Sequence, residues 1–552
     1  MSNLSFVPTE EVERLREKIS DQFLRAKVLA DIFRLITLSM IMEAGSGHVG
    51  TSFSAMEIVT WLWTEELVNP NEKDVDPRLR QARLPDGQDL GGQASDTYFS
   101  SKGHDAPGLY AVLIGLGKLP YEMIHKLRRL GGLPGHPDVG TPFIPTNTGS
   151  LGMGISKARG MAVANRLTGK SGRFYVLTGD GELQEGQIWE SLPPTANGKF
   201  SEITVIVDHN KIQSDIPVKD TSDLGNLEAK FSAFGWAVKR IDGHDFSAIK
   251  EAIEWAKSVK DRPQVIIADT LKGAGVSFMT KLDEDGLYKF HSGAPSPEHY
   301  EAGVKELLER ISLEFDKAGV GPLVTDSGKM PVRIPPQNPQ KLVAAYGDEL
   351  IKIARERKEI VAMDADLVLD TGLIPFKKEF PDRYLECGIA EQDMVSLAGG
   401  LALRGMLPVV HSFECFLSTR ANEHFYNNAT ERTKIIYVGS LAGLLPGMPG
   451  HSHQSVRGIS AFGSIPGLIM IQPANELETR LAIRWAVEEN PLSTYIRLVS
   501  IPVEPKYELP EDYRLKSGQG VVLREGRDAA ILSYGPVMLN EAIKAAEILE
   551  GK

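Results

Sequence analysis

The chain has 552 residues, of which 61 are Lys or Arg and 73 are Asp or Glu, and its formal net charge is -12. This length excludes a single hydrophobic core and predicts three domains of about 150–250 residues each. The acidic balance argues against nucleic acids and membranes as partners, because a basic surface supplies most of the affinity for anionic polymers and lipids. Cys387 and Cys415 are the two cysteines, so a disulfide framework and a cysteine-based zinc site are both disfavoured.

The first half of the chain has the pattern of a parallel sheet. As far as about residue 315, helical patterns alternate with short apolar, β-branched runs at 174–177, 203–207 and 265–267. This alternation predicts an α/β fold in which helices cover both faces of a parallel sheet. Charged residues interrupt 1–23, where a signal peptide would be apolar, and no run of about 18 apolar residues occurs. We therefore expect a soluble, cytoplasmic protein.

A stretch rich in Gly and Pro predicts a linker at 319–340, after which the α/β pattern restarts. The second domain, 341–504, is predicted to contain helices at 342–357 and 391–403 and strands at 359–363, 407–411 and 434–438. A second linker, 505–526, precedes residues 527–552, which are typical of one strand and one helix at the start of a third α/β domain. A lone βα unit cannot bury its own faces, so we expect the rest of that domain to come from a separate chain or from further residues, unless the product is shortened.

The strongest local signal is Gly-Asp-Gly at 179–181, followed by Asn210 at the end of the next predicted strand. Open α/β sheets bind ligands at the carboxyl ends of their strands. Asp180, Asn210 and the backbone carbonyl of Ile212 supply hard oxygen donors suited to Mg²⁺ or Ca²⁺, with phosphate and water completing the shell. A glycine turn capped by Asp is the alternative without a ligand, and the Asn on the second strand disfavours it.

Further segments extend this pattern: GSGHVGTSFSA, SSKGHDAPGLYAVL, LPGHPDVGTPFIPTNTGSLGMGIS, KFHSGAP and ECGIAEQDMVSLAGGLA. Together with the Gly-Asp-Gly and Asn pairing, they resemble the thiamine-diphosphate enzymes and, more narrowly, the transketolase family. The resemblance covers nearly the whole chain and implies two doubly wound domains, a diphosphate-binding domain at 1–318 and a pyrimidine-binding domain at 341–504. It also implies thiamine diphosphate with Mg²⁺ or Ca²⁺ as cofactors, held on the diphosphate side by His104, Gly149, Leu151, Gly179, Asp180, Gly181, Glu182, Asn210 and His291.

Four histidines of the first domain, His48, His104, His136 and His291, lie in loops rich in Gly and Pro. A single loop histidine is usually only a solvated side chain, but imidazole suits a reaction that moves protons on and off hydroxyl groups near pH 7. By the resemblance, His136 and His453 would hold the hydroxyl and carbonyl oxygens of the donor. His48 and His291 would move protons at the reacting oxygens, and His104 would lie near the cofactor.

Glu391 opens a predicted helix, where a carboxylate is favourable by less than about 1 kcal/mol. The resemblance implies more, a glutamate that bonds the pyrimidine of the cofactor and shares a proton with it, so we expect burial to raise its pKa. Phe413 and Phe416 match the aromatic wall of the pyrimidine, although this spacing is equally typical of a core. In the family the two halves of the site come from different subunits, which implies a homodimer in which Glu185 links the two cofactor sites.

The chain departs from the family where sugar phosphates are bound. Val343, Asp370 and Leu441 stand where the family has a phosphate-binding arginine, serine and histidine, and only Arg497 is retained. Met448 and Pro449 replace an acidic pair that reads a sugar hydroxyl, while His451 supplies a new polar group. Charge-assisted bonds to a phosphate are worth roughly 1.5–3 kcal/mol each, so the substitutions predict weak use of phosphorylated sugars.

These observations predict a transketolase-like transferase that moves a two-carbon ketol or acyl unit from a small ketol donor to an aldehyde other than a typical sugar phosphate. Three alternatives remain open. They are an ordinary pentose-phosphate transketolase with rebuilt phosphate contacts, a related enzyme that decarboxylates or forms α-hydroxyketones, and a non-catalytic homologue.

Overall fold

The computed structural model describes residues 3–70, 95–331 and 339–550. The chain divides into two compact units. The first comprises Met1–Val332 and Met448–Ser452, and the second comprises Arg333–Gly447 and His453–Lys552.

The first unit is built on a five-stranded parallel sheet, with the strand order β2-β3-β4-β6-β5. Side chains alternate along β3, so that Phe174 and Val176 join one apolar cluster while Tyr175 and Leu177 join another. Hydrophobic residues on both faces explain why these runs are continuous in the sequence. The strands are β2 (Thr97–Ser100), β3 (Phe174–Gly179), β4 (Ile203–His209), β5 (Ala237–Asp242) and β6 (Gln264–Asp269).

Helices cover this sheet, and their ends follow from local chemistry. The longest, Gln22–Ala44, begins where Asp21 accepts the backbone N–H groups of Phe23 and Leu24, and it ends at Gly45, whose φ of 82° suits glycine. The α-helices of the first unit among the described residues are Thr9–Lys18, Gln22–Ala44, Val49–Ser54, Met56–Trp61, Ala106–Gly115, Gly154–Thr168, Gly186–Asn197, Val218–Thr221, Leu227–Ala233, Phe246–Ser258 and Pro297–Ala318.

Part of the predicted linker is a strand. Residues Asp326–Lys329 (β7) pair antiparallel with Asn3–Phe6 (β1), where Leu4 and Phe6 are buried. The sequence DSGK has no apolar period, so the pairing depends on backbone hydrogen bonds to a strand more than 300 positions earlier. Propensity alone does not reveal such a strand.

The second unit contains a six-stranded parallel sheet of order β12-β13-β11-β10-β8-β9. Its strands are β8 (Ile360–Asp364), β9 (Tyr384–Glu386), β10 (Leu407–Phe413), β11 (Ile436–Ser440), β12 (Ile469–Ile471) and β13 (Thr494–Arg497). Its α-helices among the described residues are Leu342–Glu356, Ile374–Glu379, Glu391–Ala402, Glu414–Arg420, Asn422–Thr430, Gly458–Phe462, Glu476–Glu488 and Pro536–Glu550. The parallel α/β fold predicted from the sequence is thus confirmed in both units.

The strand predicted near the carboxyl end is wrong, whereas the helix after it is present at Pro536–Glu550. Residues 527–535 form no strand, and Ile531, Leu532 and Tyr534 are exposed. The physical reason is that a strand needs a neighbour with which to pair its backbone, and no described strand adjoins this segment.

No helix among residues 3–70, 95–331 and 339–550 is long and apolar enough to cross a membrane.

Candidate active site

Asp180 and Asn210 follow the carboxyl ends of the adjacent strands β3 and β4, which pair through Gly179 and Asp208. The Asp180 carboxylate accepts the backbone N–H of Gly181 at 2.8 Å and that of Lys211 at 2.5 Å. The Asn210 side chain donates to Asp208 at 3.2 Å, and its oxygen accepts the N–H of Ile212 at 3.1 Å. The fold therefore brings together and orients the two predicted metal-binding side chains.

The charge at this edge of the sheet fits a bound cation. Burial, followed by the charge of Asp208, raises the pKa of Asp180 to about 6, and a divalent ion would offset that cost. No group of three or more His, Cys, Asp or Glu in the described ranges could hold a metal ion. One carboxylate and one amide thus suit an ion that takes its remaining ligands from phosphate, water and backbone carbonyls.

The third predicted metal ligand, the carbonyl of Ile212, lies near a buried cation. Lys272 Nζ is 3.4 Å from this oxygen, contacts the carbonyl of Gln213 and is 3.3 Å from that of Ser214. Lys272 was not among the predicted site residues, although its place in the glycine-rich segment LKGAG could have indicated it. The ammonium adds positive charge where a diphosphate is expected.

Gly149, a predicted cofactor-binding glycine, and Gly103, which the sequence did not reveal, form a close-packed cradle. Gly149 has a φ of 113°, and a Cβ built there would lie 2.9 Å from the ring of His136 and 2.6 Å from Ser452 Oγ. A Cβ at Gly103 would lie 2.5 Å from the backbone nitrogen of Gly149. Only glycine fits these positions without displacing its neighbours, and the peptide N–H groups of such a loop suit a diphosphate. Leu151 is half-buried in the same loop.

Glu182 holds this cradle together. The short helix Gly181–Gln184 places it under the loop, where it accepts Ser101 Oγ at 2.5 Å, Gly152 N at 2.8 Å and Gly179 N at 3.2 Å. Burial raises its pKa. Glu185 is buried and precedes the helix Gly186–Asn197. The three hydrogen bonds of Glu182 connect these loops and so fix the geometry of the predicted cofactor-binding residues.

Beneath the cradle lies a buried ion pair that the sequence did not reveal. Lys102 Nζ is 2.5 Å from Asp208 Oδ2 and 2.8 Å from Thr51 Oγ1, and both ionic side chains are at most 1% exposed. Burial opposes ionisation of Asp208, but Lys102 and several hydrogen bonds lower its pKa. Buried charges need partners of this kind. The position of Lys102 beside His104 in the segment SSKGHD could have indicated that it lies near the site.

The four predicted site histidines of the first unit form one cluster. The ring centroid of His48 lies 5.4 Å from that of His104, 5.7 Å from that of His136 and 5.2 Å from that of His291. Burial is the main cause that lowers the pKa of His48 and of His104 well below the ordinary value. Both rings are therefore neutral near pH 7, which is the form that can donate or accept hydrogen bonds.

The second unit contains its own cluster of predicted site residues. Phe413 lies 5.8 Å from Phe416 between ring centroids, and His453 lies 5.9 Å and 5.3 Å from those two rings. Glu391 begins the helix Glu391–Ala402, is 3% exposed, and has a pKa raised by burial to about 7. Arg420, 3.4 Å from Glu391 Oε2, acts in the opposite direction. The pKa rise expected from the sequence is therefore present.

Residues at the predicted substrate end have different surroundings. Arg497 is 5% exposed, and its guanidinium contacts Glu414 at 2.5 and 3.1 Å and Gln472 at 2.7 Å. Asp370 is exposed. His451 lies 3.7 Å from Asp138, with its pKa lowered by burial. Arg497, the arginine predicted to be retained from the family's phosphate-binding set, is thus already paired with a buried carboxylate.

The family described as transketolase, thiamine diphosphate binding domain, matches residues 25–287, and that described as transketolase, pyrimidine binding domain, matches residues 339–500. Transketolase-like protein 2 of Mus musculus is 30% identical over 541 residues, which cover 95% of this chain and 82% of the relative. Transketolase of Homo sapiens is 31% identical over 538 residues, with coverage of 95% and 82%. The 6-deoxy-6-sulfo-D-fructose transketolase subunit SqwG of Clostridium sp. (strain MSTE9) is 35% identical over 291 residues, which cover 52% of this chain and 98% of the relative.

Proposed function

Because the chain belongs to the transketolase family of thiamine-diphosphate-dependent transferases, we propose that it transfers a two-carbon ketol unit between small molecules other than typical sugar phosphates. The donor is a small ketol and the acceptor is an aldehyde. The reaction class follows from the family, whereas the choice of substrate is argued from residues at the substrate end of the site.

The proposal rests chiefly on the ion pair between Arg497 and Glu414. A phosphate would have to compete with Glu414 for this guanidinium, because both Glu414 oxygens lie within 3.1 Å of it. Removing one partner of a buried ion pair costs roughly 3–5 kcal/mol. A terminal phosphate gains only about 1.5–3 kcal/mol from each charge-assisted bond, so binding through Arg497 alone is unfavourable.

The neighbouring positions point the same way. Val343 lies in the first turn of the helix Leu342–Glu356, and its apolar side chain offers no hydrogen-bond donor. Leu441 is apolar, and its backbone N–H is already bonded to Ser500 Oγ at 2.9 Å. Asp370 adds an exposed carboxylate, which would repel a dianion. An unphosphorylated aldehyde avoids each of these costs.

We infer that thiamine diphosphate is held on its diphosphate side by the cradle around Gly149 and by a divalent ion on Asp180 and Asn210. When bound, it supplies the carbon nucleophile that breaks and forms carbon–carbon bonds beside a carbonyl. The chain's own groups orient it: the Glu391 carboxyl would hold a proton at the pyrimidine, and Phe413 and Phe416 would pack against that ring. Mg²⁺ suits the oxygen donors as well as Ca²⁺ does.

An assay with two substrate pairs tests the choice of substrate. Protein supplied with Mg²⁺ and thiamine diphosphate is given hydroxypyruvate with a neutral aldehyde, and separately xylulose 5-phosphate with ribose 5-phosphate. We expect efficient turnover of the first pair and weak turnover of the second. Efficient turnover of the phosphorylated pair alone would refute the proposal in favour of an ordinary pentose-phosphate enzyme. Glu391→Ala, which should fold but turn over neither pair, distinguishes an enzyme from a non-catalytic homologue.

A sulfonated sugar is the second candidate substrate, because SqwG, a relative at 35% identity, is named for 6-deoxy-6-sulfo-D-fructose. A sulfonate carries one negative charge where a phosphate carries up to two, so it demands fewer cationic partners. The same assay with 6-deoxy-6-sulfofructose as donor decides between the candidates. Turnover that exceeds the rate with hydroxypyruvate would favour the sulfonate.

We also propose that the active enzyme is a homodimer whose sites combine residues of both subunits, as the family resemblance implies. Glu391→Ala and Asp180→Ala should each be inactive alone. If the two residues act in one site across a two-fold interface, mixed dimers regain one intact site, and activity returns to about a quarter of wild type after subunit exchange. Self-contained subunits would give no recovery. Light scattering of the wild type measures the mass of the assembly independently.

A further inference from the structure

The histidines of the first-unit cluster differ in what faces their Nδ1 atoms. Nδ1 of His104 lies 2.7 Å from the carbonyl oxygen of Lys102, and Nδ1 of His136 lies 2.7 Å from that of Pro449. A carbonyl oxygen only accepts hydrogen bonds, so these Nδ1 atoms carry the proton. In a neutral ring the other nitrogen, Nε2, is then an acceptor.

His48 has the opposite arrangement. Its Nδ1 lies 3.4 Å from a terminal nitrogen of Arg128, and a guanidinium only donates. Nδ1 of His48 is therefore the acceptor, and the proton of the neutral ring lies on Nε2. His291 resembles His48 in this respect, because its Nδ1 lies 3.1 Å from Lys272 Nζ.

The loop around Arg128 is built to turn this side chain inward. Arg128 has a φ of 55°, its backbone N–H is bonded to the carbonyl of Leu133 at 2.7 Å, and Leu127 bridges Leu133. Its other terminal nitrogen donates to Ser46 Oγ at 3.0 Å. Among the described residues, the Arg128 guanidinium contacts Ser46 and His48 and forms no ion pair with a carboxylate.

We propose that Arg128 is a positioning residue that fixes His48 with its proton on Nε2, so that His48 meets the substrate as a neutral hydrogen-bond donor and not as a base. The identity of the substrate oxygen rests on the proposed function, whereas the tautomer is a property of the protein itself. The cluster is thereby divided into donors, His48 and His291, and acceptors, His104 and His136.

This division assigns different substrate groups to different rings. A neutral imidazole N–H stabilises negative charge that develops on a carbonyl oxygen without giving up its proton. His48 therefore suits the aldehyde oxygen of the acceptor. An unprotonated Nε2 suits a hydroxyl group, which places donor hydroxyls beside His136. The family resemblance by itself gave His48 a proton-shuttling role, and the contact with Arg128 narrows that role to donation.

The tautomer can be measured directly. Protein labelled with ¹⁵N in histidine gives two-bond ¹H–¹⁵N correlations that identify the protonated nitrogen of each ring, and His48→Asn and His104→Asn variants assign the two signals. In ligand-free wild type we expect the proton on Nε2 of His48 and on Nδ1 of His104. A proton on Nδ1 of His48 would overturn the proposal, and this result needs no variant of Arg128.

Arg128→Met tests the cause. It should mix the two tautomers of His48 and lower kcat by about 10- to 100-fold with a smaller change in KM, as loss of an orienting hydrogen bond does. Arg128→Lys, which keeps a donor, should restore both the signal and part of the rate. Arg129→Met is the matched control, because Arg129 is exposed and, among the described residues, its guanidinium donates to the carbonyl of Glu43 at 3.3 Å and not to the histidine cluster.

A fall in rate without any change in the His48 signal would assign Arg128 a purely structural role and refute the proposal. Absence of turnover by wild-type protein with every substrate pair would instead refute the proposed function. In that case the tautomer measurement would still decide the role of Arg128.

Discussion

The Glu391→Gln variant tests whether burial or the neighbouring arginine controls this carboxyl. Burial raises the pKa of Glu391 from 4.5 to about 7, whereas Arg420 at 3.4 Å favours the charged form. If burial dominates, removing the charge should stabilise the native protein at high pH; if the Arg420 pair dominates, removing it should destabilise the protein. Gln has nearly the same shape as a protonated Glu. The substitution therefore isolates the charge.

The sign follows from proton binding. Between pH 4.5 and about 7 the unfolded chain has released the Glu391 proton while the native protein keeps it, so the free energy of unfolding falls as the pH rises. The full difference amounts to about 3 kcal/mol at pH 8, an upper limit because Arg420 acts against it. We expect Glu391→Gln to match the wild type near pH 4.5 and to be more stable by up to that amount at pH 8.

Urea unfolding of the cofactor-free proteins at pH 5 and pH 8 measures this difference. With a slope of about 1–3 kcal/mol per molar urea, the midpoint should shift by roughly 1 M or more at pH 8. Asp393→Asn is the control, since Asp393 is exposed in the first turn of the same helix. It should lose about 0.3–1 kcal/mol at pH 8, the opposite sign. A Glu391→Gln protein that is less stable than wild type at pH 8 would show that the Arg420 pair dominates.

Three further changes test other parts of the site. Asp180→Asn should weaken binding of thiamine diphosphate with Mg²⁺ by about 10- to 100-fold in calorimetry, because a carboxylate ligand is lost; unchanged affinity would place the metal elsewhere. Burial keeps native His48 neutral, so the free energy of unfolding should fall as the pH drops below about 6.5, and His48→Asn should make that slope shallower; an unchanged slope would contradict it. Asp370→Ser combined with Leu441→His should raise kcat/KM for the phosphorylated pair by about tenfold or more, since one charge-assisted bond is worth roughly 1.5–3 kcal/mol, while the neutral pair serves as the control.

The sequence by itself determined the features that depend on short segments. Apolar β-branched runs predicted the strands β3 and β4, and the residues that follow them, Asp180 and Asn210, had to emerge at one edge of the sheet. The start of a helix at Glu391 was equally readable. The strand predicted after residue 527 was wrong because an apolar run becomes a strand only beside another strand.

The tertiary structure decided which charged groups meet across long stretches of chain. Glu414 pairs with Arg497 at a separation of 83 residues, and Arg128 reaches His48 at a separation of 80. A retained arginine can be read as a phosphate ligand until its buried counter-ion is known. The reason is physical: periodicity and local propensity set the backbone, whereas desolvation and charge pairing depend on neighbours that the linear order does not specify.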